Sequence, residues 1–399
     1  MLNSKLLALK VQTFINRHLN ANVHDLALKG SPFSGVGTAE LMQQIQAKNK
    51  CKKKLPTWFN SLGIYYPAKL NIEQTSSEKT ALYKSAMVDG GLLVDLSGGF
   101  GVDSFYFSKK IKTVVHCEIE TELSEIAAHN FRILKANNIK SIATDGLEYL
   151  KNNTEALDWI YIDPSRRDTH KNKRFLIEDC TPNVTKHLDL FFKHSPQVLV
   201  KLSPMLDIHA ALEVLPQTKE IHIVAVKNEV KELLFILKNE YHGAPLIKAI
   251  NLDSTQEVFE FKTSDELQSS SDFALPALFL YEPNAAVLKS GAFKLVSNRF
   301  NVKKLAQHTH LYTSELAIDD FPGKTYRINR VHPFNKKKLK ALLNVQKANV
   351  KTRNFHEKTE HLKKTFKLSD GGERFLFFTS SEAKKWVLDC SEVTSIQSK

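Results

Sequence analysis

Residues 94–105 read VDLSGGFGVDSF. An apolar run ends on Asp95, three glycines (Gly98, Gly99 and Gly101) fall within the next six residues, and Asp103 opens a segment with apolar residues at helical spacing. Glycine has no Cβ, so a backbone rich in it can take positive φ and approach a ligand closely. A helix N-terminus just beyond adds unpaired N–H groups and the positive end of the helix dipole. The stretch reads as strand, ligand loop and helix.

The same alternation continues downstream. Short apolar runs (LLVDL, TVVHCEI, IKSIATD, LDWIYID, QVLVKLS, EIHIVAV) are separated by amphipathic segments such as TELSEIAAHNFRILKANN. Strand–helix alternation predicts an α/β fold, a parallel sheet covered on both faces. PLIKAINLD and EVFEFK, joined by a polar turn, read as a closing antiparallel hairpin near residues 245–262. VKNEVKELL, after the sixth strand, reads as a helix whose Glu229, Lys231 and Glu232 pair along its surface. Residues 1–75 read as a mostly helical region, and the chain beyond the Ser-rich TSDELQSSSD as small α+β pieces.

The glycine loop alone admits more than one cofactor. A dinucleotide fingerprint wants a third glycine or alanine three residues after the G-x-G, and here that position is Ser104. Asp95 also precedes the loop, where it would repel a pyrophosphate. S-adenosylmethionine suits the loop better, because its sulfonium is cationic and its amino acid end zwitterionic. Three later strands also end in acids. Glu118 and Glu120 follow about twenty residues on, where a carboxylate can accept ribose hydroxyls; Asp145 could accept an adenine amino group, and Asp163 stands at the fourth strand's tip with Pro164 fixing the turn.

The order DLSGGFGVD, CEIE, ATDGLEYL, IYIDPSRRD resembles the class I S-adenosylmethionine-dependent methyltransferases. VKNEVKELL, YEPNAAVLKSGAF and NVKTRNF with LKKTFKLSDGGERFLFF resemble the bacterial members that carry a ferredoxin-like insert and a C-terminal THUMP-like domain. The resemblance implies a Rossmann-like methyltransferase domain over 76–265, a ferredoxin-like segment over 274–322 and a THUMP-like domain over 325–396. It places Asp95, Ser97, Gly99, Gly101 and Asp103 around the methionine moiety, Glu118 on the ribose and Asp145 at the adenine. Asp163 would face the transferred methyl, within a catalytic turn of Asp163, Pro164, Ser165 and Arg166. Ser97 stands where the glycine motif has its first glycine. DPSR replaces the D/N-P-P-Y/F tetrapeptide of amino-group methyltransferases, so the aromatic that sandwiches a target base is missing.

Charge points to the acceptor. The formal net charge is +13, but residues 1–75 carry +7, residues 325–399 carry +10, and the middle is slightly acidic. Two basic flanks around a near-neutral core suit a polyanion, and equally suit solvated helix faces. Lys336, Lys337, Lys338 and Lys340 fall on one short helix, Lys351 and Arg353 on the next strand, and Arg167 follows the candidate catalytic turn. With the THUMP-like resemblance, these imply RNA, tRNA or rRNA, as partner and substrate. The alternatives are a non-catalytic RNA-binding or assembly factor on the same fold, and a protein methyltransferase. No apolar run approaches the ~20 residues of a membrane span. The fifteen histidines show no metal-ligand spacing, HTH at 308–310 reads as a surface turn, and four scattered cysteines fit a reducing cytoplasm.

Overall fold

The computed structural model describes residues 2–166, 176–343, 346–381 and 384–393. They fall into two units, residues 1–219 with 233–242, and residues 220–232 with 243–399.

In the first unit, β1 (Leu92–Asp95), β2 (Thr113–Glu118), β3 (Ile139–Ala143) and β4 (Trp159–Ile162) follow one another with helices between. A two-residue ribbon, β5 (Ser165–Arg166) with β6 (Cys180–Thr181), precedes β7 (Gln197–Leu202); β8 (Thr218–Val226) belongs from Glu220 on to the second unit, and β9 (Glu229–Lys238) returns to the first from Leu233. Parallel pairing gives the order β3-β2-β1-β4-β7, and β9 lies antiparallel beside β7. This is the parallel α/β sheet that the alternation predicts, in the Rossmann-like arrangement that the resemblance implies. The central strands are buried on both faces, which is why they read as continuous apolar runs. The chain winds outward from β1 to β3 on one side and from β4 to β7 on the other. Such a reversal leaves a crevice at the strands' carboxyl ends, and Asp95, in register with His116 on β2 and Tyr161 on β4, sits there.

β9 corrects one expectation. VKELLFILK is a strand, entered from β8 through Lys227 and Asn228, both at positive φ, as a two-residue hairpin turn requires. Lys231 and Glu229 do pair, at 2.7 Å, but as i,i+2 neighbours on one face of a strand. The N-terminal helices are not a separate body: Leu41, Ile45, Cys51, Trp58 and Tyr66 share one core with Phe100, Phe105 and Phe131 beneath the glycine loop.

In the second unit, β10 (Leu246–Leu252) pairs parallel with β8 and antiparallel with β11 (Phe259–Lys262), the hairpin expected near 245–262. The remaining strands are β12 (Phe279–Pro283), β13 (Lys303–Ala306), β14 (Thr309–Ser314), β15 (Gly323–Pro333), β16 (Asn349–Arg353), β17 (Arg374–Ser381) and β18 (Lys384–Glu392). They form one sheet of order β13-β14-β12-β15-β18-β17-β16, so the two α+β pieces share a sheet. Along β17 the side chains alternate faces: Leu376 and Phe378 pack with Leu339 and Leu362, while Phe377 packs with Leu280 and Tyr326. Thr309 and His310 belong to β14, with Thr309 buried and His310 stacked on Phe293 at 3.6 Å, so the histidine pair is not simply a surface turn. Among the described residues no helix is long and apolar enough to cross a membrane, and no cluster of His, Cys, Asp and Glu is placed to hold a metal.

Candidate cofactor and methyl-transfer site

The glycine loop is pinned from below. Gly101, at φ 82°, caps the helix Val102–Phe107, and a Cβ there would lie 2.4 Å from the Phe131 ring. A Cβ at Gly98 would lie 2.3 Å from Nε2 of the wholly buried His116. His116 stands edge-on to Phe131, with ring centroids 5.3 Å apart, and its Nδ1 meets the Ser141 hydroxyl at 3.1 Å. Burial pushes its pKa down to about 4, so it is neutral at physiological pH. Gly99 is different: at φ 56° it needs glycine for its backbone, yet a Cβ there would meet nothing closer than 3.9 Å. The loop is therefore packed tightly on one side and open on the other, a cradle that a side chain would fill.

The acids divide into two groups. Asp95 is 1% exposed and accepts from the Ser97 N–H at 3.0 Å and the Ser104 hydroxyl at 2.6 Å. Burial, with Asp103 and Asp163 nearby, pushes its pKa up to about 7 against the pull of those hydrogen bonds. Asp103 lies under the loop. It is ion-paired with the fully buried Lys84 at 3.2 Å and accepts from Ser76 and Tyr161, each at 2.8 Å. Burial works against its ionisation, but Lys84, Lys201 and the two hydroxyls outweigh it and hold the pKa down. This network anchors the helix beneath the loop and occupies the carboxylate of Asp103, which the sequence reading places among the cofactor residues.

Glu118, Asp145 and Asp163 are only partly buried. Glu118 Oε2 accepts the Gly99 N–H and Oε1 the Glu120 N–H, both at 2.8 Å. An ionised carboxylate offers about four acceptor sites, so each oxygen keeps capacity for a diol. Asp145 caps the helix Gly146–Asn152 through Oδ1, at 2.8 Å from the Leu147 N–H, and its other oxygen takes no partner among the described residues. Asp163, at the tip of β4, donates its N–H to the Ser97 hydroxyl at 2.7 Å, so Ser97 ties the ends of β1 and β4 together. That link gives a serine, rather than the usual glycine, a function at this position.

The Asp163 carboxylate forms an ion pair with Lys201 of β7. Asp163 is 32% exposed at its side chain and Lys201 13%, so the carboxylate presents an open edge while the ammonium stays inside. The sequence reading missed Lys201, although a lysine within VLVKLS breaks an otherwise apolar, two-face-buried run and signals a paired charge. Pro164 is buried, and the exposed Ser165, on β5, lies in register with Thr181. Of Arg166 only the backbone is described, opposite Cys180, and Arg167 lies outside the described residues.

The basic residues of the second unit also separate. Lys336, Lys337, Lys338 and Lys340 are exposed on the helix Lys336–Leu342, whose first turn is capped by Asn335 at 3.1 Å from the Lys337 and Lys338 N–H groups. Lys351 and Arg353 are held by Glu282, which is buried on β12; the Arg353 contact is 3.0 Å and Lys351 also reaches the Tyr326 hydroxyl at 2.8 Å. Those two cations neutralise a buried carboxylate, whereas the four lysines of the helix are exposed.

A family model for a ferredoxin-like domain matches residues 279–322, and one described as THUMP domain-like matches residues 323–392. A crystal structure from Porphyromonas gingivalis W83, of a protein provisionally described as a methyltransferase, is 31% identical, covers 98% of this chain and 100% of that one, and superposes with a TM-score of 0.89. An uncharacterized RNA methyltransferase of Mycoplasma mobile is 31% identical over 111 residues, 28% of this chain; the chain spans 27% of the length of that curated relative.

Proposed function

This chain belongs to the same family as the Porphyromonas gingivalis methyltransferase-type protein, and we propose that it transfers a methyl group from S-adenosylmethionine to RNA, tRNA or rRNA, in the cytoplasm. The observation that supports the cofactor most is the cradle: a tightly backed glycine loop, open at Gly99, facing Glu118 and Asp145 at neighbouring strand ends. The donor set fits the cofactor. Glu118 would accept the ribose hydroxyls, the free oxygen of Asp145 the adenine amino group, and the Asp95–Ser97 corner would favour the cationic methionine end.

When bound, the cofactor supplies an electrophilic methyl on a sulfonium, transferred in one displacement. What the chain adds is alignment. Asp163, held by Lys201 and by Ser97 behind it, presents its open carboxylate edge to an acceptor N–H or O–H and can take the hydrogen bond or the proton. The DPSR turn brings no aromatic to sandwich a base, so the acceptor is positioned by contacts other than that stack.

The RNA assignment draws on the +10 charge of residues 325–399, the THUMP-like match and the description of the Mycoplasma mobile relative. The test compares modified nucleosides, by mass spectrometry, between cells with and without the gene. Loss of one methylated nucleoside, restored by the natural chain and not by Asp163→Ala, is the expected result. An unchanged nucleoside profile would favour a non-catalytic RNA-binding role.

A further inference from the structure

We propose that an open cleft at the carboxyl ends of β16 and β17 holds one unstacked nucleotide of a single-stranded RNA segment. The cleft has a volume of about 480 Å³ and is lined by Thr352, Asn354, Phe355, His356, Ser380 and Lys385. That volume lies in the range of small-molecule sites, about 300–1,000 Å³, and far below what a duplex needs. Its lining combines two rings, three neutral polar side chains and one exposed ammonium. This is the chemistry that grips a base by its face and edges and a phosphate by its charge.

The aromatic platform is braced. Phe355 is half-buried and packs edge-on against Phe334 at 5.0 Å and against Phe378 at 5.7 Å, with the His356 ring 4.8 Å away on its other neighbour. Asn354, at φ 49°, turns the chain sharply before it and donates to the Thr309 hydroxyl at 2.9 Å, which fixes the loop to β14. A ring held this way loses little freedom when a base stacks on it.

The cleft also adjoins the lysine helix. Lys336 Nζ lies 3.0 Å from Glu357, the residue after His356, so the helix begins at the cleft's rim. Lys337, Lys338 and Lys340 on the same helix are exposed as well, with Lys337 and Lys340 one turn apart. A nucleotide seated in the cleft would have neighbouring phosphates near Lys385 in its lining and Lys336 at its rim. Bases in a duplex are stacked and cannot enter a concave site without being extruded, so a single strand or loop is the form recognised.

The inference rests on the RNA substrate proposed above, and the experiment separates the two. Binding of the full chain to a short fluorescein-labelled single-stranded RNA, and to a blunt duplex of the same length, is measured by anisotropy over a range of potassium chloride concentrations. Phe355→Leu, which keeps an apolar side chain in the core, should weaken the single strand about ten- to hundredfold without changing the salt slope. Lys385→Ala should instead flatten the slope by about 0.7. A 4-thiouridine single strand, crosslinked by light to the natural chain, should mark Phe355 or His356. Equal binding of the single strand by Phe355→Leu and the natural chain, or crosslinks confined to other segments, overturns the cleft while the RNA reading stands. Failure of the natural chain to bind either RNA overturns both.

Discussion

Gly98→Ala isolates what the glycine loop requires. Gly98 lies outside the left-handed region, so alanine meets no backbone penalty there and any effect is steric. The new Cβ would stand 2.3, 2.5 and 2.7 Å from three atoms of the His116 ring, where ordinary contact begins near 3.4 Å. Loop or ring must therefore shift by roughly 1 Å. The ring has little room, being wholly buried, bonded to Ser141 and packed on Phe131. Overpacking of this kind costs about 1–3 kcal/mol, which corresponds to about a five- to 150-fold change in an equilibrium constant. The loop is the part that can lift, so the loss should appear in cofactor affinity. Calorimetric titration with S-adenosylhomocysteine measures it. The same substitution on a His116→Ala background should cost much less, because the space is then available. Full affinity in Gly98→Ala, or an equal loss on both backgrounds, would refute the account of the loop.

Two buried groups near the loop should make the pH dependence of stability separable. Asp95 titrates near 7 in the folded chain against an ordinary 3.8, so the fold weakens as pH rises between those values; His116 titrates near 4 against 6.5, so its contribution is complete above 6.5 and lost as pH falls toward 4. Relative to the natural chain, the urea midpoint of Asp95→Asn should therefore climb with pH from about 4.5 to 6.5, and that of His116→Ala should fall across the same range; difference profiles that run in parallel would contradict the assignment. Lys201→Met releases the Asp163 carboxylate, and methyl transfer should slow about ten- to hundredfold while S-adenosylhomocysteine affinity holds. A change in affinity alone would place Lys201 in cofactor binding instead. Replacing Lys336, Lys337, Lys338 and Lys340 together by alanine should flatten the salt dependence of single-strand RNA binding by up to about three units, and an unchanged slope would make the helix structural.

The parts legible in the sequence were those with local patterns. The glycine loop, the acids Glu118, Asp145 and Asp163 at strand ends, and the helix with four lysines each follow from neighbours a few residues apart. What escaped depends on pairing between distant strands. Lys201 reaches Asp163 because β7 lies beside β4, and Lys351 and Arg353 meet Glu282 across about seventy residues of chain. Asp103 and Lys84 combine only once the helix Glu78–Ser85 packs against the helix Val102–Phe107. VKELLFILK misled for another reason: a short apolar run carries no period that separates a buried strand from a helix, and antiparallel placement beside β7 decides it.

Methyl transfer itself is tested most directly with purified protein and tritiated S-adenosylmethionine. The acceptors are total RNA from cells lacking the gene and total RNA from cells that have it. Tritium should enter the first RNA, whose target is unmethylated, and little should enter the second, with Asp163→Ala inactive on both. Label that stays out of RNA, or that enters both preparations equally, would contradict the account.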